Sequence, residues 1–249
     1  MLAELKLELI CPELNWRKSS NLHGVLMDQI DEGYAAELHL QQVHPYSQCL
    51  LTEGDRKYWC IRTLDQRAYE NIILPMMRVN GFELNKGSIH ADVGSRTCRT
   101  LEKNALLEEF YDGRGLRCFD LEFQTPTAFK SGGRYVFYPD LMLLYQSLMN
   151  RYTLSSADME MRDPDTLEQM VQGSEVLRYR LQTVPFPMEG VTVTGFKGTL
   201  RIRLKGTDTM ARYIRLLMRF GEFSGVGIKT GIGMGAIRYM EIGKGGAEG

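Results

Sequence analysis

Between residues 225 and 235, five glycines (Gly225, Gly227, Gly231, Gly233 and Gly235) are interleaved with apolar Val226, Ile228, Ile232 and Met234, and Lys229 and Thr230 stand in the middle. Glycine permits positive φ and close backbone approach. Successive N–H groups in such a loop can form an anion-binding concavity. The apolar anchors argue for an ordered loop and against a slack tail. Its surroundings narrow the fold: a helical pattern over 207–220 precedes it and a strand pattern over 234–242 follows. A dinucleotide fingerprint needs the opposite order, and Thr230 stands where its third glycine should be. A P-loop needs glycine before its lysine, and here Ile228 precedes Lys229.

The rest of the chain supplies the frame. Leu2 to Ile10 alternates apolar and charged residues, as in a half-buried strand, and Pro12 stops it. Leu22, Val25, Leu26 and Ile30 share a helical face, and Gly33 separates that helix from a second one over 34–40. Runs at 46–51 and 57–64 read as a hairpin across Glu53-Gly54-Asp55. Asp65 suits the N-cap of a helix reaching about residue 77, and 88–99 is strand-like. The order β-α-β-β-α-β is the ferredoxin-like pattern. A polar stretch over 101–116, ending in Asp112-Gly113-Arg114-Gly115, marks a boundary. Residues 1–104 then form one domain and 105–249 another.

The second half repeats the order with an inserted helix: a strand over 117–125, a helix from Pro139 to 152, an acidic stretch over 155–173 that is helical or irregular, strands over 175–183 and 190–205, the helix, the glycine loop and a last strand. The expected class is α+β, with two tandem ferredoxin-like domains and a disordered tail over 243–249.

The formal net charge is −1, so polyanion binding requires a local basic patch. Five cysteines without a C-x-x-C pair point to free thiols in a reducing cytoplasm, and away from a disulfide framework or zinc site. The N-terminus lacks the design of a signal peptide, and no apolar run is long enough to span a membrane.

Leu22-His23-Gly24-Val25-Leu26, the AAELH run ending at His39, Pro45-Tyr46-Ser47, the FQTPTAF segment ending at Phe129, LLYQSLMNR ending at Arg151, Gly195-Phe196-Lys197-Gly198 and the closing GVGIKTGIGMG resemble, in order, the CRISPR-associated repeat-processing endoribonucleases. The resemblance implies paired ferredoxin-like domains, binding of CRISPR repeat RNA, and cleavage that needs no metal or cofactor. In such a reaction the RNA 2′-OH attacks the adjacent phosphorus, leaving a 2′,3′-cyclic phosphate or 3′-phosphate and a 5′-OH. The protein aligns the strand, moves two protons and steadies charge.

The family's histidine, in a Leu-His pair after the first helix, matches Leu38-His39, which makes His39 the expected general acid or base. His44 is a second or even principal partner. The family's helix tyrosine is replaced by Met27, so Tyr34 or Tyr46 is left to supply a hydroxyl, and Lys57 a cation. His23 reads as a helix-face residue and His90 as a strand residue, both structural.

The glycine loop, with the Lys229 charge and the Thr230 hydroxyl, is the expected phosphate cradle. Lys130 and Arg134 are the next RNA contacts. Arg212, Arg215 and Arg219 share a helix face, and Arg201, Arg203 and Lys205 one side of a strand; each stripe is either an RNA track or a solvated face. Tyr58 and Trp59 are either stacking platforms or core.

Two competing readings remain: a non-catalytic RNA-binding subunit of a CRISPR ribonucleoprotein, for which His39 is dispensable, and a nucleotide-dependent enzyme, which the loop disfavours. A homodimer and association with other CRISPR effector subunits stay open.

Overall fold

The computed structural model describes residues 1–41, 43–84, 87–112, 116–156, 160–188 and 190–240. In β1 (Leu2–Ile10), Leu5, Leu7 and Leu9 are buried while Glu4, Lys6 and Glu8 point the other way. After it come α1 (Asn21–Gln29), α2 (Glu32–Leu40), β2 (Tyr46–Glu53), β3 (Arg56–Thr63), a helix over 66–76 (α3), β4 (Gly81–Leu84) and β5 (Ile89–Leu101). The Asp65 carboxylate accepts from Ala68 N at 2.7 Å, the cap its position suggests. All pairings are antiparallel, in the order β2-β3-β1-β5-β4. Helices cover one face: Leu22 and Leu26 of α1 and Ile72, Ile73 and Met76 of α3 share a core with the leucines of β1.

The second half contains α4 (Lys103–Asp112), β6 (Cys118–Thr127), the hairpin β7 (Phe129–Ser131) and β8 (Arg134–Val136), α5 (Leu141–Ser155), α6 (Pro164–Gly173), β9 (Ser174–Met188), β10 (Val191–Leu204), α7 (Asp208–Ser224) and β11 (Ile237–Met240). Its sheet runs β11-β6-β10-β9. Leaving aside the extra edge strand β4, each sheet has the order fourth-first-third-second, so both halves are ferredoxin-like. Phe119, Leu121 and Phe123 of β6 pack with Leu144 and Leu148 of α5 and Ile214 and Leu217 of α7.

Several expectations needed correction. The polar stretch over 101–116 is more than a boundary. It contains α4, whose Leu106 is buried in the second core beside Leu107 and Phe110. The boundary placed at 104/105 falls within the first turn of α4. Pro139 does not start α5; Asp140 caps it, accepting from Leu143 N at 2.9 Å. Residues 113–115 and the tail over 243–249 lie outside the described residues.

The two halves meet along β2. Ser47 Oγ donates to Phe223 O at 2.6 Å, and Cys49 and Cys60 pack on Ala236. This seam sets the glycine loop against the start of β2.

Candidate active site

The Asp31 carboxylate caps α2 by accepting from Tyr34 N at 2.9 Å, turning the chain back just after α1 ends. The turn brings His39, exposed in the last turn of α2, to His23 on α1; their rings stand edge to face with centroids 6.4 Å apart. Tyr46, the first residue of β2 and fully buried, approaches His23 Nδ1 at 3.2 Å through its hydroxyl. The His44 ring lies 5.4 Å from that of Tyr46. His23 and His44 therefore flank Tyr46, and His39 stands on the far side of His23.

The glycine loop closes on this group. A Cβ at Gly231 would lie 3.2 Å from the Tyr46 hydroxyl oxygen and 3.3 Å from His44 Cδ2, so only glycine lets the turn Thr230–Ile232 come this near without displacing a ring.

Burial is the main cause of the electrostatics. It pushes the His23 imidazole below its ordinary range, with help from nearby His44 and His39 and against a backbone hydrogen bond to Gly231. His44 is also lowered, by burial first and then by Arg151 and His39, with the Leu38 backbone opposing. Both rings are therefore held neutral near pH 7. Burial raises Tyr46 so far that it stays a protonated donor.

Sequence reading separated these parts and misplaced some. His23, assigned a structural role, belongs to the cluster; only the fold, by joining residues 23, 39, 44, 46 and 231, reveals it. Tyr34 is buried, raised to about 12 by burial, and its ring lies under Arg67 at 5.2 Å. The hydroxyl that meets a histidine is that of Tyr46. His90 stays apart, between Glu83 at 2.7 Å and Asp92 at 3.2 Å on an exposed edge.

The loop is not the open cradle its glycines suggest. Val226 N donates to Gly235 O at 2.8 Å, Gly227 N to Ser147 Oγ at 2.8 Å, Ile228 N to Ala128 O at 3.0 Å and Gly235 N to Pro126 O at 3.0 Å. Gly225, Gly227, Gly233 and Gly235 thus serve close packing, and Thr230 is 2% exposed with its methyl group against Gly225 and Gly235. Lys229, half-buried like Ile228 and Ile232, is the loop's charged group. It sits at φ 58°, the single positive φ outside glycine among the described residues, and lines a cleft of about 1000 Å³ with His23, Arg17 and Asn21. Lys130 and Arg134 stand exposed on the β7–β8 hairpin, whose root meets the loop at the Ile228 to Ala128 bond. Trp59 is core, its indole N–H donating to Gln48 Oε1 at 2.6 Å, and Tyr58 lies under Lys6 at 4.1 Å.

Fold and seam define a class: tandem ferredoxin-like proteins whose C-terminal glycine loop closes on histidines of the first half. Residues 121–237 match the profile of the family described as CRISPR-associated endoribonuclease Cas6. A Mycobacterium tuberculosis protein of that name is 41% identical over 228 residues, 89% of this chain and 71% of the relative. One from Streptococcus thermophilus is 32% identical over 219 residues, 88% of this chain and 90% of the relative. The product complex of a Thermus thermophilus Cas6 shares the fold with a TM-score of 0.79 at 21% identity, covering 96% of this chain and 100% of that one. The chain belongs to the CRISPR-associated endoribonuclease Cas6 family. Among the described residues, no helix is long and apolar enough to cross a membrane.

Proposed function

We propose that this protein binds CRISPR repeat transcripts and cleaves them without metal, by attack of the RNA 2′-OH on the adjacent phosphorus. The observation that carries this reading is the meeting of His23, His39 and His44 with Tyr46 and the loop turn at Gly231. A transesterification of this kind needs one group to take the 2′-OH proton and another to protonate the 5′ leaving oxygen. His39, exposed to solvent at the end of α2, is the general acid. His44, kept neutral by burial and with Nδ1 free of a hydrogen bond among the described residues, is the base, and His23, its Nδ1 taken by the Tyr46 hydroxyl, is a positioning residue. Lys229, in the His23 cleft, offsets charge on the phosphate. Lys130 and Arg134 hold the RNA backbone farther along the loop's flank.

Mass spectrometry of the fragments tests the chemistry. A 2′,3′-cyclic phosphate or 3′-phosphate on one fragment and a 5′-OH on the other is expected. A 3′-OH paired with a 5′-phosphate contradicts 2′-OH attack. Tight binding of every repeat offered, with no cut in any, would make the chain an RNA-binding subunit instead.

A further inference from the structure

His44 opens on a second cleft, of about 470 Å³, that shares no lining residue with the cleft of His23. Tyr34, Pro45 and Leu64 wall it from the first half, and Arg151 and Leu154 from α5. The charged groups in it are not equivalent. Arg67 is paired with Glu37 at 2.5 Å and Arg162 with Glu160 at 2.9 Å. Asp65 is engaged at the cap of α3. Arg151 differs from all of these. It is 8% exposed, and its guanidinium donates to the carbonyls of Gly227 at 3.1 Å and Ser224 at 3.4 Å. Its partners among the described residues are carbonyls, which hold a guanidinium without neutralising it. A buried cation left uncompensated is costly, and a guanidinium with five N–H donors has donors to spare after two such bonds.

We propose that this cleft is the subsite for one nucleotide flanking the bond cut at the histidines. Arg151 meets its phosphate, and Tyr34, Pro45, Leu64 and Leu154 face its sugar and base. The proposal rests on the nuclease reading above. A guanidinium suits phosphate through parallel N–H donors, and the volume lies in the range of small-ligand pockets. The two clefts then take the strand on either side of the histidines, with Tyr46 between them.

The test compares wild type with Leu154→Trp and Arg151→Gln on repeat RNAs shortened one nucleotide at a time from each end toward the cut. Affinity is read by filter binding and cleavage in single turnover. Leu154 is 58% exposed at the rim, so tryptophan can fill the cleft without disturbing the core. In wild type, removal of one particular nucleotide beside the cut should weaken binding about tenfold. In Leu154→Trp that same removal should change nothing, because the subsite is already lost. Arg151→Gln should behave alike if its melting curve shows a folded protein; if it does not fold, Leu154→Trp decides alone. Equal responses of wild type and Leu154→Trp to every truncation overturn the proposal. Failure of wild type to cut any repeat overturns the nuclease reading instead, and the binding series still reports on the cleft.

Discussion

Two groups of basic residues in the second half have opposite fates. Arg201, Arg203, Lys205, Arg212 and Arg219 form the regular stripes that suggest an RNA track, and each is engaged. Arg201 pairs with Asp120 at 2.5 Å, Arg203 and Lys205 share Glu175, Arg212 donates to Tyr111 O at 3.1 Å, and Arg219 lies between Glu109 and Glu222. The helix stripe is covered by α4, which lies in the polar stretch that marks a domain boundary in the sequence. Arg151 and Lys229 follow no periodic pattern, yet among the described residues Arg151 is held by carbonyls, and Lys229 lines the cleft of His23. Charge available to a polyanion is therefore set by what neighbouring elements bring, and spacing along one element does not reveal it.

The strongest way to break this contrast is at the seam. Gly231→Val should push the loop off Tyr46 and His44 and lower the single-turnover cleavage rate on the order of 100-fold, with RNA affinity changed less than about threefold. Cleavage at the wild-type rate would mean that the loop and the histidines do not act together. Lys229→Gly comes next. It removes the charge while easing a backbone at φ 58°. RNA affinity should fall about tenfold and the salt dependence flatten by about one ion, with no loss of thermal stability.

A pH series sharpens the contrast from the histidine side. Burial lowers His23 and His44 below their ordinary value of 6.5, so folding favours their neutral forms. Their contribution to stability is complete above that ordinary value and is lost as pH falls through the lowered ones. Tm should be lower at pH 5 than at pH 7.5, and the gap should narrow in a His23→Gln, His44→Gln double variant. The smallest effect belongs to the other basic group. Arg219→Gln should leave RNA affinity unchanged and cost less than about 1 kcal/mol by denaturant titration; a tenfold loss of affinity would return α7 to the RNA track.

Much of the frame was legible because its signals are local. Alternation in β1, the Asp65 cap and the hairpin at Gly54 each sit within a few residues, and together they give the element order of the first sheet. α4 escaped because its polar residues masked an apolar set, Leu106, Leu107 and Phe110, whose partners lie far along the chain. The site was legible in part. His39 is singled out by a family resemblance and His44 by its nearness to it in sequence, while His23 has no local mark, since its meaning comes from Tyr46, 23 positions on, and from Gly231. Sequence cannot show that the N–H groups of Gly225, Gly227 and Gly235 already have carbonyl and hydroxyl partners, which is why the glycines suggest ligand binding.

The most direct measurement is cleavage of a labelled CRISPR-repeat RNA in EDTA by wild type and His39→Ala, with a second substrate carrying a 2′-deoxy sugar at the cut. Wild type should cut the RNA in EDTA and leave the deoxy substrate intact, and His39→Ala should be slower by about 100-fold or more. Cutting of the deoxy substrate, or a requirement for a divalent ion, would contradict the account; undiminished cutting by His39→Ala would move the acid to another histidine of the cluster.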